Sequence, residues 1–338
     1  MSISLFCSDV KEFPEVVIIL ASFNGEKFLL DQIRSTEVFS DNNCQLLIRD
    51  DGSFDASSEL IKMLSVQYQN IEFVEDRNGN LGAAESFFLL LGRAYESGAT
   101  FIMLADQDDE WLPGKKNIQL DLMRTFERNH PNCPLLIHSD LEVVDNSLKL
   151  ISPSLMEYNQ IEHEYFDPLK VLLAQNFVTG CTVVVNKALL DVALPVPKEA
   201  VMHDWWLALC AASFGKIEYI DKPLVKYRQH ASNEVGARNF RSFLNPFKVS
   251  WLASWLKGRS NLEKSVHQAH ALADRIKRHD PGNRNLELIE AYSKLLDETP
   301  IGRLMKLKAL GIHAQSNLRH LLLVSRLFFC RKSTDVYD

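Results

Sequence analysis

The segment "LADQDDEW" (residues 104–111) sets three aspartates and a glutamate directly behind the apolar run "TFIML". Four carboxylates within five residues repel one another unless water or a cation separates them. Hard divalent cations take carboxylate oxygens, so the chemistry on offer is a metal site. An acidic, solvated loop is the plain alternative. Other stretches carry related groups. "RDDGS" (49–53) places Asp51 where a carboxylate can meet the N–H and O–H donors of a base or ribose, or where Ser53 or Asp55 simply caps the next helix. "MHDWWLAL" (202–209) sets His203 and Asp204 at a helix start, which by itself reads as capping ahead of core residues. "YRQH" (227–230) sets Arg228 and His230 at a strand end. A guanidinium there can pair with phosphate bidentately, and a plain strand-end polar pair is the other reading.

The elements that must position these groups follow from hydrophobic periodicity. "VVIILA" (16–21), "QLLI" (45–48), "IEFV" (71–74) and "FIMLA" (101–105) are short apolar runs between polar turns and read as strands. Residues 26–37, 55–67 and 82–97 read as helices; in the last, Ala84, Phe87, Phe88, Leu91, Ala94 and Tyr95 make one apolar face. Strand–helix alternation implies an α/β fold with a mixed, mostly parallel sheet flanked by helices. Ligands of such sheets bind at the carboxyl ends of the strands. There "SFNGE", "RDDGS", "EDRNGN" and "DQDDEW" follow the four strands in turn, so the acidic segment reads as part of a shared site. Further on, "LLIHSD", "LEVVD", "GCTVVV" (180–185), "IEYI" and "LVKYRQH" read as strands, and 203–215 as a buried helix stopped by Gly215. Beyond Gly236 the chain reads as helical and amphipathic.

The chain has 338 residues and a net charge of −7, distributed unevenly. Residues 1–235 hold 19 Lys and Arg against 35 Asp and Glu, whereas 236–338 hold 18 against 9. This asymmetry divides the chain into an acidic body, 1–235, and a basic helical region, 236–338, and suggests a separate task for each. From Pro300 to Thr334 no acidic residue occurs. Arg303, Lys306, Lys308, Arg319, Arg326, Arg331 and Lys332 interleave there with leucines, a pattern open to two readings: a helical hairpin docked on the body, or a surface for anionic lipid. Six scattered cysteines without CxxC spacing argue against structural zinc and a disulfide framework, and fit a reducing, cytoplasmic setting. No secretory signal is apparent, and no stretch approaches membrane-spanning length.

The order "ASFNGEKFLLDQI", "RDDGSFD", "NGNLGAAESF", "LADQDDEW", "HSDLEVVD", "NFVTGCTVVVNKALL" and "MHDWWLALCAASFGKIEYIDKPLVKYRQHASNEVG" resembles the family 2 glycosyltransferases, inverting enzymes of the GT-A fold. Within them it is most similar to the rhamnosyltransferase-like proteins of bacterial surface-polysaccharide and O-antigen assembly. The resemblance covers roughly residues 15–235. It implies a nucleotide-sugar donor, with dTDP-L-rhamnose favoured and UDP- or GDP-sugars open. It also implies a saccharide or polyprenyl-linked acceptor and Mg²⁺ or Mn²⁺ as cofactor. By that resemblance Asp108 is the direct metal ligand, Asp106 lies near the donor's ribose and sugar, and Asp109 supports them. Asp51 contacts the base or ribose, and Ser22, Asn24 and Glu26 frame the nucleoside; Glu26 reads equally as a first-turn residue favoured by the helix dipole. His230 joins the metal or the diphosphate, beside Arg228. Asp204 is the base that takes the acceptor's proton, and His203 orients it or lies in the wall. Gly180 allows close approach of the acceptor, and Trp111 stacks on a sugar or covers the core.

Rival classes leave different traces. A non-catalytic nucleotide-sugar-binding protein has no need of Asp204. A nucleotidyltransferase is expected to carry a Gly-rich basic loop near the first strand, which "ASFNGEKF" is not. An acidic body is a poor partner for nucleic acid.

Overall fold

The computed structural model describes residues 13–230 and 251–330. The expected division at 235/236 and the basic residues Arg331 and Lys332 lie outside the described residues. In chain order the elements are β1 (Val16–Ser22), α1 (Leu29–Ser35), β2 (Cys44–Asp50), α2 (Ser57–Gln67), β3 (Ile71–Phe73), α3 (Ala83–Glu96), β4 (Phe101–Asp106), β5 (Glu110–Trp111) and α4 (Lys115–Asn129). Then come β6 (Leu135–Val144), β7 (Leu150–Ser152), α5 (Leu155–Asn159), α6 (Pro168–Leu172), β8 (Val184–Asn186), α7 (Lys187–Ala193), α8 (His203–Phe214) and β9 (Lys216–Arg228). Four helices follow: α9 (Trp251–His279), α10 (Leu286–Ser293), α11 (Pro300–Leu310) and α12 (Asn317–Phe328).

One sheet runs in the order β3-β2-β1-β4-β8-β6-β9-β5, with β7 on β6. The long ladders, β1 with β2 and β4 and β6 with β9, are parallel; the antiparallel pairings of β8, β5 and β7 are short. The sheet is therefore mixed and mostly parallel, as the strand–helix alternation predicts. β1 is apolar without interruption because both its faces are buried. Val17 and Ile19 point into one core, and Val16, Ile18 and Leu20 into the other. Each such buried side chain contributes about 1.5–3 kcal/mol over its exposed state.

Two pairs of expected strands fuse. "LLIHSD" with "LEVVD" is the single strand β6, and "IEYI" with "LVKYR" is β9, which ends at Arg228. Both absorb their polar interruption in a shared bulge, where Ser139 pairs with Ile220 and Asp140 with Pro223. Only the end of "GCTVVV" is a strand; residues 180–182 form a 3-10 turn.

α8 is apolar around its whole circumference, which suits a helix enclosed on all sides. The fully buried Trp206 shares one core with Leu262, Val266, Ala269, Leu272 and Ile276 of α9. Arg275 of α9 donates to the carbonyls of Val192, Leu194 and Pro195, and Gln268 accepts from Val201 N at 2.8 Å. The C-terminal helices are thus docked on the sheet domain by an unbroken apolar core and by capped carbonyls.

The basic hairpin α11–α12 is partly internal. Arg303, 1% exposed, donates to the carbonyls of Leu296, Glu298, Leu327 and Cys330 and ties the hairpin together. Arg319 donates to the carbonyls of Asn159 and Gln160. Lys306 does have an acidic partner, Glu298 at 3.0 Å, just ahead of the acid-free stretch. Ile301, Met305, Leu321 and Phe329 face outward, at 67%, 70%, 64% and 60% exposure. Among the described residues no helix is long and apolar enough to cross a membrane.

Candidate active site

The strand order 3-2-1-4 brings the four polar loops together at one sheet edge. The first two interlock through their own side chains. Asn24, in the left-handed region at φ +51°, donates its N–H to Ser53 Oγ (2.8 Å) and accepts from Phe54 N (2.8 Å). Glu26 accepts from Ala56 N at 3.2 Å, while Glu26 N donates to Asp55. Glu26 therefore supports the start of α2; its own helix begins only at Leu29 and carries Asp31 as its first-turn acid. Asp55, not Ser53, takes an amide of α2's first turn, from Ser57 N at 3.0 Å.

Gln107, between the carboxylates of Asp106 and Asp108, makes contacts of its own. Its Oε1 accepts from Ser22 Oγ (3.0 Å) and Phe23 N (2.8 Å), and its Nε2 donates to Phe23 O (2.9 Å). The amide thus clamps the fourth loop to the first. A Cβ on Gly25 would lie 2.1 Å from that Oε1, so the clamp needs a glycine there. An amide between two acids was the one available signal.

Asp51 is 4% exposed and internally engaged. It accepts from Leu81 N (2.7 Å), Gly82 N (2.8 Å) and the Arg49 guanidinium. Burial pushes its carboxyl upward, but these donors outweigh it and hold the group below the usual carboxylate range. Its visible work is to fasten the start of α3 to the end of β2. Arg49 continues the network to Asp76 at 2.6 Å.

The acidic turn follows β4. Asp108 Oδ2 lies 2.7 Å from His230 Nε2, both side chains largely covered but not sealed from solvent. Asp106, Asp109 and Cys181 each offer a ligand atom within 4.8 Å of the others. Asp109 is fully buried; its Oδ1 accepts from Arg228 N at 3.1 Å, no hydrogen bond reaches Oδ2, and the Cys181 thiol lies near the carboxylate. Burial, then the Asp108 and Asp106 charges, drive the Asp109 carboxyl well above its ordinary value. Arg228 is turned inward rather than toward a phosphate. It is 4% exposed and donates from Nε to Asp108 O (2.8 Å) and from Nη1 to Asn146 O (2.9 Å). Phe28, which the sequence does not single out, stacks on His230 at 5.4 Å and lies 4.4 Å from the Arg228 guanidinium. Trp111 is 3% exposed and belongs to the core, so the sugar-stacking expectation for it is corrected.

Asp204 occupies the first turn of α8. Its Oδ1 accepts from Trp205 N at 2.6 Å, and the neighbouring Gly180 and Asn176 act to lower its pKa. Burial outweighs these donors and pushes its carboxyl up to about 6. His203 is buried against the Phe87 ring at 3.9 Å, with neither ring nitrogen hydrogen-bonded, and burial lowers its pKa to about 3. A Cβ on Gly180 would meet His203 Nε2 at 2.7 Å. The close approach at Gly180 is therefore that of His203, not of an acceptor as the sequence suggests. The dipeptide Gly180–Cys181 joins the two halves of the site: Gly180 lies against Asp204, and Cys181 faces Asp106 and Asp109.

Residues 17–183 match the family model described as Glycosyl transferase family 2. The dTDP-rhamnosyl transferase RfbG of Shigella flexneri is 26% identical over 265 residues, covering 75% of this chain and 85% of that protein. An uncharacterized glycosyltransferase of a Nostoc species, alr2836, is 24% identical over 226 residues, covering 65% of this chain and 66% of that protein. Of the solved structures, S. aureus TarS aligns with a TM-score of 0.51 at 16% identity, over 93% of this chain. The chain spans about half of TarS, 53% of its length, and the likeness concerns the fold.

Proposed function

Because residues 17–183 are a glycosyl transferase family 2 domain, this chain is a glycosyltransferase, and we propose that it is an inverting, metal-dependent one using dTDP-L-rhamnose. The sugar goes to a saccharide or polyprenyl-linked saccharide acceptor in surface-polysaccharide assembly at the cytoplasmic face of the membrane. The donor assignment leans on the likeness to RfbG, named a dTDP-rhamnosyl transferase. The observation that carries the mechanism is the convergence of Asp108 and His230 at the strand edge, with Asp204 one dipeptide away.

The donor set suits Mg²⁺ or Mn²⁺. Asp108 and His230 approach within 2.7 Å on partly exposed atoms, and Asp106 adds a second carboxylate at the end of β4. These residues would hold the ion, which when bound offsets the diphosphate's charge and stabilises it as a leaving group. Ser22, Asn24 and Glu26 keep the first loop in register with the second, and Asp51 holds the third against it, so that the nucleoside meets a preformed wall. Arg228 acts from behind, holding the acidic turn. Asp204 accepts the proton of the acceptor hydroxyl as that oxygen bonds to the anomeric carbon. The bond from that carbon to the diphosphate breaks, and its electron pair leaves with the diphosphate. A base whose pKa lies near 6 is mostly ionised at neutral pH yet basic enough for this work.

Donor hydrolysis and transfer by the purified chain, measured across dTDP-, UDP- and GDP-sugars with and without Mn²⁺, test the reading. Turnover confined to a UDP- or GDP-sugar overturns the rhamnose assignment. Full turnover in excess EDTA overturns the metal. Binding without any turnover favours a non-catalytic nucleotide-sugar-binding protein.

A further inference from the structure

α8 opens on a buried histidine whose ring makes no hydrogen bond. His203 is 4% exposed, and among the described residues neither ring nitrogen has a partner. Buried polar groups are nearly always paired, so an imidazole kept without a partner calls for another reason. A leucine would fill an apolar site without that penalty. The reason lies in the shape of the slot. The Phe87 ring of α3 stacks on the imidazole at 3.9 Å between centroids, with the planes 24° apart. Gly180 approaches so closely that a Cβ there would stand 2.7 Å from His203 Nε2 and 3.6 Å from the Asp204 Cβ. A flat ring fits between an aromatic face and a bare backbone, whereas a branched aliphatic chain is thicker.

The helix behind Asp204 is fastened elsewhere. Trp205 Nε1 donates to Leu172 O at 2.6 Å, and Trp206 Nε1 donates to Ala193 O at 2.9 Å. His203 adds the contacts of the first turn with α3 and with the 3-10 turn 180–182. Cys181 of that turn faces Asp106 and Asp109. His203 therefore sits where the helix of the base meets the turn that leads to the acidic loop. Asp204 keeps part of its surface open while His203 is sealed, so an acceptor can reach the first and not the second.

We propose that His203 is a positioning residue for Asp204: held flat between Phe87 and Gly180, it sets the distance between the first turn of α8 and the 180–182 turn, and with it where the Asp204 carboxylate stands. The role is steric, not one of charge or hydrogen bonding. It rests on the reading of Asp204 as the base.

The test uses the full chain as wild type, His203→Ala, Gly180→Ala, their double and Asp204→Asn. The backbone at Gly180 is not left-handed, so the tight contact of an alanine there is with the imidazole. Gly180→Ala should melt below wild type, yet cost little once His203→Ala has removed the ring. Equal costs in the two backgrounds overturn the contact. For positioning, the probe is hydrolysis of dTDP-L-rhamnose with Mn²⁺, water serving as acceptor. His203→Ala should lower kcat by about 10–100-fold, the scale of a misplaced reacting group, with the donor KM within a few-fold. Burial leads the influences on the Asp204 carboxyl; those opposing it come from Trp205, Gly180, Asn176 and its own backbone, none of them charged. Water entering the vacated space relieves that burial, so the acidic limb of the rate should move below 6. With Asp204→Asn slow, an unchanged kcat in His203→Ala, or a fall with the limb still near 6, overturns positioning. A wild-type rate in Asp204→Asn instead sinks the base reading, and this proposal with it. If His203→Ala does not fold, Gly180→Ala takes its place and should lower kcat at preserved KM; failure of both singles and the double to fold makes His203 a residue of the fold alone and overturns positioning. If wild type hydrolyses no dTDP-L-rhamnose, the donor assignment fails and melts at about pH 8 decide. There Asp204→Asn should raise the melting temperature less in the His203→Ala background than in wild type, and an equal gain overturns positioning.

Discussion

His230 Nε2 stands 2.7 Å from Asp108 Oδ2 although 122 residues separate them in the chain. The approach is built by β9 returning along β5. Glu110 pairs with Lys226 and Trp111 with Val225, directly after the acidic turn, and a Lys226–Glu110 ion pair at 2.6 Å closes the same register. Two residues beyond Lys226, Arg228 grips the turn's backbone. His230 then comes over it, stacked on Phe28.

Substituting Asp108 should separate chemistry from folding. Asp108→Ala should abolish transfer with little change in melting temperature, because the side chain lies at a loop and supports no core. Asp108→Asn should do nearly the same, since a neutral amide is a poorer ligand for a hard cation. Mn²⁺ titration of both variants and of His230→Ala checks the assignment; wild-type turnover by the alanine variant would refute it.

Asp204→Asn keeps shape and removes basicity. Donor affinity should stay within a few-fold of wild type while the rate falls by about 10²–10⁴, the usual worth of a positioned base. Proton NMR of the product should show inverted anomeric configuration; retention would exclude the mechanism. The wild-type rate should rise with pH through a limb near 6 and lose that limb in the variant.

The same carboxyl makes a stability prediction of definite sign. Its folded value, about 6, lies above the ordinary aspartate value of 3.8, so the native state binds this proton more tightly than the unfolded chain does. The associated stabilisation is complete below 3.8 and is lost as pH rises through 6. Asp204→Asn should therefore melt above wild type at about pH 8, with the gap closing as the pH is lowered through that window. A gap that widens on acidification would contradict the burial argument.

Gln107→Leu removes three hydrogen bonds between the first and fourth loops. Each is worth about 1 kcal/mol net. The expected outcome is a raised donor KM with a smaller change in kcat, because the amide aligns loops and touches no reacting atom in the proposed mechanism. Steady-state kinetics at saturating acceptor decide it; an unchanged KM would reduce Gln107 to a spacer.

Membrane contact is best probed away from the buried arginines. Arg303 and Arg319 are hairpin and docking residues, so their loss would disturb the fold before any lipid contact. Ile301→Asp with Met305→Asp alters only outward-facing positions. If α11 lies on anionic lipid, co-sedimentation with anionic liposomes should fall in this variant and weaken at high salt. Equal recovery of both proteins with the liposomes would leave α11 as a docked hairpin helix.

What the sequence by itself determined was the first four strands, their polar ends, and the loops that converge. Apolar runs such as Val16–Leu20 and Phe101–Ala105 are unmistakable because burial on both faces removes every polar residue from them. The acidic turn stood out as a candidate site because it sets charges where a core begins, whereas Asp204 by itself read as a helix cap and took its role only from the family resemblance. The tertiary structure decided which polar atoms face inward. Arg228 turns to carbonyls and Asp51 to the amides just ahead of α3, because a buried donor or acceptor takes its partner from wherever packing brings one, dozens of residues away in the chain. Gln107 and Phe28 were invisible for a related reason. Their types are ordinary and their neighbours in sequence say nothing, while the packing of β4 and α1 around one turn gives each of them a contact to make.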